Sequence, residues 1–403
     1  MPLRGFKYRF YPTADQESLL RRTIGCCRLV YNRALHERSE AWTSGKKSIG
    51  YAAQSTALTG WKKEPELAFL NEVSSVPVQQ TLRHLQTAYS NFFAKRAKYP
   101  SFKRKHSGGS AEFTRSGFRF VGGKLTLAKM DAPLDIRWSR PLPAGVEPSS
   151  ASVSLDVSQR WHVSLLCEDR TVNHLPKLKT AVGIDLGINA LATLSTGEKI
   201  PNLRHDAREM KRKRRLSRVL ARKQKGSRNR YKARIKLARF HAKVADRRRD
   251  QLHKLSTRLV RENQAIVVED LNVAGMVRNH CLARVISDVG WRMLLSFLAY
   301  KCAWYGRSLI KVDRFYPSSK TCSACGHVVE YLPLDVRKWT CPGCRVQHDR
   351  DENAAKNILA AGLAVARKGE VCGSDVSHRV LLNAVQSELK QKNSNVNSGI
   401  RLL

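Results

Sequence analysis

Residues 180–200 read TAVGIDLGINALATLSTGEKI. An apolar run ends on an acid at Ile184-Asp185, and Gly187 follows as a turn. A second apolar run covers 191–194, then a Thr196-Gly197 turn and a third short run. Apolar segments of strand length joined by glycine turns predict a β-meander. A carboxylate leaving a buried strand must be paired, hydrogen-bonded or metal-bound, because desolvating a lone charge is very costly. Asp185 is therefore either a metal ligand or the cap of the turn after its strand.

Two more acids stand in comparable places. In QAIVVEDL, residues 264–271, Ile266, Val267 and Val268 form a buried strand that ends on Glu269. In DENAAKNILAAGLAVA, residues 351–366, Ala354, Ala355, Ile358, Leu359 and Leu363 recur at helical spacing. Asp351 lies on that stripe, so the first turn directs a carboxylate toward the sheet. Three carboxylates converging without cations share protons or bind metal. Oxygen-only ligands suit Mg²⁺ or Mn²⁺, and a pair of such ions is a standard device for attacking a phosphodiester. Asp270 and Asp349 compete for these roles. Asp270 points to the opposite strand face from Glu269, and Asp349, just before the helix, is better placed as a cap.

Just upstream of that helix, Cys322-Ser-Ala-Cys325 and Cys341-Pro-Gly-Cys344 are separated by fifteen residues. Two matched Cys-x-x-Cys pairs predict a closed, structural Zn²⁺ site rather than a redox disulfide. Trp339 and Leu334 are too little core to hold residues 318–348 together without it. The other six of the ten cysteines are scattered.

The chain of 403 residues is long enough for two or three domains. Its 73 Lys and Arg against 33 Asp and Glu leave a net charge of +40, which calls for a polyanionic partner. Nucleic acid fits; an anionic membrane surface would favour a lipidation motif, and none is seen. No apolar run approaches a membrane span, and MPLRGFKYRFYP has no signal-peptide apolar region. The expectation is a cytosolic protein.

In the N-terminal half, residues 5–11 alternate as a strand, Pro12 ends it and Thr13 caps a helix from Ala14 to about Trp42. Further helices are expected over 51–61 and 76–93. From Lys95, KRAKYPSFKRKHSGG interleaves basic and aromatic residues, which suits a nucleic-acid backbone with stacked bases or a solvated linker. Strands are expected at 112–114, 117–121, 124–127, 152–156 and 160–168, pairing with the first strand in a small barrel around the helical insertion. The most basic stretch, 208–261, carries Leu216, Val219, Leu220, Phe240, Val244, Leu252, Leu255 and Leu259 at helical spacing, interrupted at Gly226-Ser227. This predicts two helices folded back on each other along a thin apolar seam. Like charges at i,i+4 destabilise such helices, and a bound phosphate backbone relieves that. Arg247, Arg248 and Arg249 are the candidate contacts.

GIDLGINALATLSTG at 183–197, HAKVADRRRDQLHKLS from His241, VVEDLNVAGM from Val267, SDVGW at 287–291, YKCAWYGR from Tyr300, FYPSSKTCSACG from Phe315 and HDRDENAAKNI at 348–358 together resemble the transposon-encoded TnpB proteins, compact RNA-guided DNA nucleases related to type V CRISPR effectors. The resemblance runs from Phe6 to about Leu363. It implies a multidomain α+β chain with a RuvC-like, RNase H-type nuclease whose catalytic residues are Asp185, Glu269 and Asp351. Asp351 is carried by the family's D-x-N-A-A-x-N pattern. The implied layout is a wedge-like β-barrel at 1–12 plus 100–175, with a helical recognition insertion at 13–99. The nuclease occupies 180–317 plus 349–369 and includes the basic helical hairpin 208–261. A zinc ribbon follows at 318–348 and a flexible tail at 370–403.

Relatives place contacts to a short motif beside the target where Tyr51, Ser55, Gln79 and Thr114 fall. Ser75 and Val76 do not match the Lys-Phe pair some relatives carry. The resulting expectation is an RNA-guided, Mg²⁺-dependent DNA endonuclease encoded by an insertion sequence. It would act as a monomer on its guide RNA in a bacterial or archaeal cytosol, with guide RNA and target DNA as partners. Rivals are an RNA-guided binding-only regulator and a zinc-ribbon DNA-binding transposase accessory.

Overall fold

The computed structural model describes residues 3–105, 107–169 and 171–370. The tail expected at 370–403 lies, beyond Glu370, outside the described residues. The chain divides into two compact units, Met1–Thr171 with Arg222–Arg239, and Val172–Ala221 with Phe240–Leu403.

In the first unit, strand β1 (Leu3–Tyr11) leads into helix α1 (Ala14–Gly45). Thr13 and Gln16 form a reciprocal capping box there, so the helix starts where the sequence predicts. Helices α2 (Tyr51–Trp61) and α3 (Ser75–Phe93) follow. Then come β2 (Gly109–Thr114), β3 (Phe118–Val121), β4 (Lys124–Leu127), β5 (Asp135–Arg137), β6 (Ser150–Leu155) and β7 (Trp161–Glu168). The strands alternate buried and exposed side chains, as one-sided antiparallel sheets do.

The expected barrel does not close. The strands form an open five-stranded sheet ordered β2-β6-β7-β1-β5, and β3-β4 is a separate hairpin. The reason lies at the two edges. At one, β5 has only three residues. At the other, β2 pairs with β6 alone, and helices pack over its face: a Cβ on Gly109 would sit 2.3 Å from Ile24 Cγ2 of α1, and α3 packs on the same strand. Tyr8, Phe10, Leu35, Leu82, Leu125 and Leu165 are fully buried in the shared core.

In the second unit, β8 (Ala181–Asp185), β9 (Ala190–Leu194) and β10 (Lys199–Pro201) form the predicted meander. A short α4 (His205–Arg208) and α5 (Met210–Ala221) follow. Helix α6 (Arg228–Glu262) begins in the first unit and ends in the second. Then come β11 (Ala265–Glu269), α7 (Val273–Met276), α8 (Ala283–Val289), α9 (Trp291–Tyr305), β12 (Ser308–Val312), β13 (Lys338–Thr340), β14 (Gln347–Asp349) and α10 (Arg350–Glu370).

The sheet order is β10-β9-β8-β11-β12, with β11 parallel to both β8 and β12. Buried on both faces, β11 reads as a continuous apolar run. Helix α10 lies against it at backbone distance. A Cβ on Gly183 would sit 2.2 Å from the Ala355 carbonyl oxygen, and one on Gly362 would sit 2.2 Å from Val267 Cγ1. Those two glycines let the helix settle onto β8 and β11.

The basic hairpin departs from expectation. Helix α5 buries none of its side chains, and Val219 is 42% exposed. Leu216 and Leu220 are only half-buried, so α5 contributes little to the expected seam. On α6, Ala233, Phe240 and Val244 are buried, and Leu252, Leu255, Leu259 and Val260 join the core built with the sheet and α9. Helix α5, half of it Lys or Arg, has too few apolar residues to offset desolvating that charge.

Candidate metal centres

The register brings two of the predicted acids to one end of one sheet. Val268 of β11 is paired with Ile184 of β8, so Glu269 and Asp185 follow as the last residues of adjacent parallel strands. Asp351 enters from the first turn of α10, which packs on β8. All three carboxylates are half-buried. Burial, then Glu269, then Asp351 push the Asp185 carboxyl up to about 7, against the weaker opposing pull of Arg350 and Arg337. A carboxyl raised in this way by burial and two neighbouring acids sits where a cation would relieve the repulsion. Arg337 offers Asp351 only a long contact of 3.5 Å.

The rival acids are engaged elsewhere. Asp349 accepts the Glu352 backbone N–H at 3.1 Å and pairs with Lys199 at 2.7 Å, so it caps α10 as expected. Burial opposes its ionisation, but Lys199 and the helix N–H groups prevail and hold its carboxyl below the usual range. Asp270 pairs with Lys311 at 3.3 Å and Arg314 at 2.9 Å, on the face opposite Glu269.

This geometry sets a pH dependence. Asp185 has a folded pKa of about 7 against an ordinary 3.8. Below the lower value both folded and unfolded chains hold the proton. Between the two, the unfolded chain releases it first, so rising pH erodes the fold. Without divalent metal, the melting temperature of wild type should fall relative to Asp185→Asn as pH rises from about 4 to about 7. Mg²⁺ should raise it for wild type more than for the variant. Thermal melts of the pair across pH decide this, and parallel profiles would refute it.

The four cysteines converge. Among the described residues, the Sγ atoms of Cys322, Cys325, Cys341 and Cys344 are the metal-ligand group that gathers within 4.8 Å. Strands β13 and β14 span three residues each, and the local core is little more than Cys322, Trp339 and Cys341. An all-thiolate donor set on two tight turns fits Zn²⁺. His348, which the sequence reading passed over, places Nε2 3.0 Å from Cys322 Sγ and packs its ring against Trp339. Its place three residues before Asp351 in HDRDENAAKNI was the available signal.

The remaining predicted sites scatter over other elements. Tyr51 and Ser55 lie on α2, Gln79 on α3 and Thr114 at the end of β2, and α3 packs against both α2 and β2. All four are at least partly exposed. Val76, at the position lacking the relatives' Lys-Phe pair, packs beside Gly117.

The three arginines separate. Arg247 pairs with Glu209. Arg248 bonds Asp288 at 2.5 Å, and Asp288 also accepts the Asp206 backbone N–H at 3.1 Å. Arg249 is exposed and forms no ion pair among the described residues. The stretch after Lys95 walls a cavity of about 930 Å³ lined by Ile24, Cys27, Tyr99, Phe102, Lys103 and Arg104. Asn32 pins that wall to α1 through both the N–H and the carbonyl of Lys103, at 2.8 and 3.0 Å. No helix among the described residues is long and apolar enough to cross a membrane.

Comparison with known proteins adds the following. A family described as a probable transposase matches residues 163–280. A Cas12f1-like TNB domain matches 291–358, and a helix-turn-helix domain matches 1–47, a region that here is one strand and one long helix. A Streptomyces pristinaespiralis protein bearing the name of an RNA-guided DNA endonuclease is 57% identical, with 98% of each chain covered. One of the same description from Escherichia coli K12 is 34% identical over 92% of this chain and 95% of its own. The fold is similar to that in a Cas12f1–sgRNA–target DNA complex. There the TM-score is 0.56 at 13% identity, covering 89% of this chain and 98% of the other.

Proposed function

Because the chain belongs to the TnpB family of transposon-encoded RNA-guided DNA endonucleases, we propose that Asp185, Glu269 and Asp351 are its catalytic carboxylates. The chain is an RNA-guided DNA endonuclease of insertion-sequence origin. The observation that carries the residue assignment is geometric: β8 and β11 pair in parallel and end on Asp185 and Glu269, and Asp351 stands in the first turn of the helix packed on β8. Their oxygen-only donor set fits Mg²⁺ or Mn²⁺, and the four-cysteine cluster fits Zn²⁺. When bound, the divalent ions supply Lewis-acid stabilisation of phosphate charge and an acidified water. The protein gathers three acids at one sheet end and holds the nearby Asp349 and Asp270 in ion pairs with lysine and arginine.

The layout that fits this reading is a wedge of 1–12 plus 100–175 around a recognition insertion at 13–99. A RuvC-like nuclease at 180–317 plus 349–369 carries the zinc ribbon 318–348. Guide RNA pairing supplies sequence specificity. Tyr51, Ser55, Gln79 and Thr114 read a short adjacent motif. The protein acts as one copy per guide RNA in a bacterial or archaeal cytosol. The basic and aromatic wall from Tyr99 to Arg104 suits a single-stranded backbone with a stacked base.

Two substitutions separate binding from scaffolding on α6. Arg249→Ala should lower the slope of log affinity against log salt on duplex by about 0.9. Arg248→Ala leaves Asp288 buried without its cation and should cost on the order of 3 kcal/mol of stability. Filter binding at several salt concentrations and thermal melts read the two effects. An unchanged slope for Arg249→Ala removes it from the interface.

The function is tested by purifying the chain with its co-expressed RNA, sequencing that RNA, and assaying a matched and a scrambled target in Mg²⁺. Cutting of the matched target alone is expected. Equal cutting of both, or of neither, refutes RNA-guided cleavage.

A further inference from the structure

Three acids near the sheet end are held in different ways. Asp270 and Asp349 are each paired with lysine or arginine. Glu269 forms no ion pair among the described residues; its Oε1 accepts the Ser318 hydroxyl at 2.6 Å. The difference is chemical. A cation beside a carboxylate neutralises it and competes with a metal ion. A hydroxyl donor fixes the carboxylate's orientation and leaves its charge intact.

Ser318 is 6% exposed and is itself firmly held. The Pro317 carbonyl accepts the backbone N–H groups of Lys320 and Thr321, both at 3.0 Å, and the Thr321 hydroxyl at 2.9 Å. That closes residues 317–321 into one compact turn. Asn357 of α10 donates to the Ser318 and Thr321 carbonyls at 2.8 and 2.5 Å. Asn353 donates to the Thr321 carbonyl at 2.7 Å and accepts the Ser323 N–H at 2.9 Å. Both asparagines are buried, at 1% and 4% exposure. The next residue along the turn, Cys322, belongs to the four-cysteine cluster. One turn is thus fastened to the cluster at one end, to the helix bearing Asp351 through two amides, and to Glu269 through one hydroxyl.

We propose that Ser318 is a positioning residue that orients the Glu269 carboxylate for a divalent cation, with its turn clamped between the four-cysteine cluster and helix α10. This rests on the nuclease centre proposed above. The clamp sets where Glu269 stands relative to Asp351, because the same six-residue stretch is bonded to the elements carrying both. Deleting the hydroxyl leaves every backbone fastening of the turn in place. The effect of Ser318→Ala should therefore appear at the divalent site and not at the zinc cluster.

The test compares wild type, Ser318→Ala, Ser318→Thr and Glu269→Ala as full chains carrying guide RNA. Four properties are measured: zinc content, RNA binding, Mn²⁺ binding by electron paramagnetic resonance, and target cleavage. Ser318→Ala should keep one zinc per chain and wild-type RNA affinity. Its Mn²⁺ affinity and kcat should each fall about 10–100-fold, with KM for target little changed, the scale on which outer partners of metal ligands act. Ser318→Thr, which restores a hydroxyl, should recover most of both.

Wild-type Mn²⁺ affinity in Ser318→Ala overturns the proposal. So does loss of zinc in Ser318→Ala, which would make the residue a fold element only, and so does failure of threonine to rescue. If Glu269→Ala itself binds Mn²⁺ and cuts as wild type does, the nuclease centre is wrong. If Glu269→Ala is inactive while Ser318→Ala is normal, only the role of Ser318 falls.

Discussion

Cys341→Ser or Cys325→Ser should release one zinc per chain and loosen residues 318–348. Two three-residue strands and a core of Cys322, Trp339 and Cys341 cannot pay for their own ordering. A closed four-thiolate site contributes on the order of 10 kcal/mol of folding free energy, and a lost ligand forfeits much of it. The damage should spread along a defined route. Cys322 follows Thr321, whose carbonyl is held by Asn353 and Asn357 of α10, and α10 carries Asp351. Cleavage should therefore fall by about 100-fold or more, at the upper end of outer-shell effects on metal sites, although no cysteine belongs to the divalent centre. Elemental analysis, limited proteolysis mapped to 318–348 and a cleavage assay read the three consequences. Active wild type without zinc, or a serine variant that keeps its zinc, defeats the reading.

The second unit's sheet was legible because its signals are local and chemical. Asp185 and Glu269 each close an apolar run of strand length, and the parallel register of β8 and β11 then sets them side by side. Asp351 could be separated from Asp349 because it lies on the apolar stripe of the helix, while Asp349 precedes the helix as a cap. The four cysteines announced themselves by spacing. Ser318 was not legible in the same way. Nothing in FYPSSK distinguishes one serine from its neighbour, and its bond to Glu269 spans 49 positions that only folding brings together.

The failures were of long-range packing. Alternating strands at 111–168 cannot reveal whether a sheet closes, because closure depends on whether its two edge strands pair, and here β2 and β5 do not. Strand β5, three residues around Ile136, is too short for periodicity to show. In the basic stretch, helical spacing identified apolar positions without naming their partner. Leu252, Leu255 and Leu259 join the sheet and α9, while α5 has no fully buried side chain. The Arg247–Arg249 run looked uniform as sequence, yet Arg248 is drawn inward by Asp288, 40 positions away in SDVGW.

Asp185→Ala, Glu269→Ala and Asp351→Ala should each stop DNA cleavage while guide-dependent binding survives, because none of the three belongs to the basic surfaces. Each loss should reach about a thousandfold or more, and the double variant Asp185→Ala/Asp351→Ala should be no worse than either single one, since members of a catalytic unit are not additive. The comparison with Asp349→Ala is the most demanding. Asp349 ends β14 and caps α10, whereas Asp351 stands inside the first turn of that helix, so the two acids hold different places. Asp349 is held by Lys199 and caps the Glu352 N–H, whereas Asp351 adds to the repulsion felt at Asp185. Losing a cap costs about 1 kcal/mol, so Asp349→Ala should melt slightly earlier and still cut. The assay is cleavage of a matched target in Mg²⁺, with binding of the same target measured in parallel. An inactive Asp349→Ala beside an active Asp351→Ala would exchange the two assignments. Normal cutting by all four variants would leave the sheet end without a catalytic role, and the elevated Asp185 would then reflect only burial among neighbouring acids.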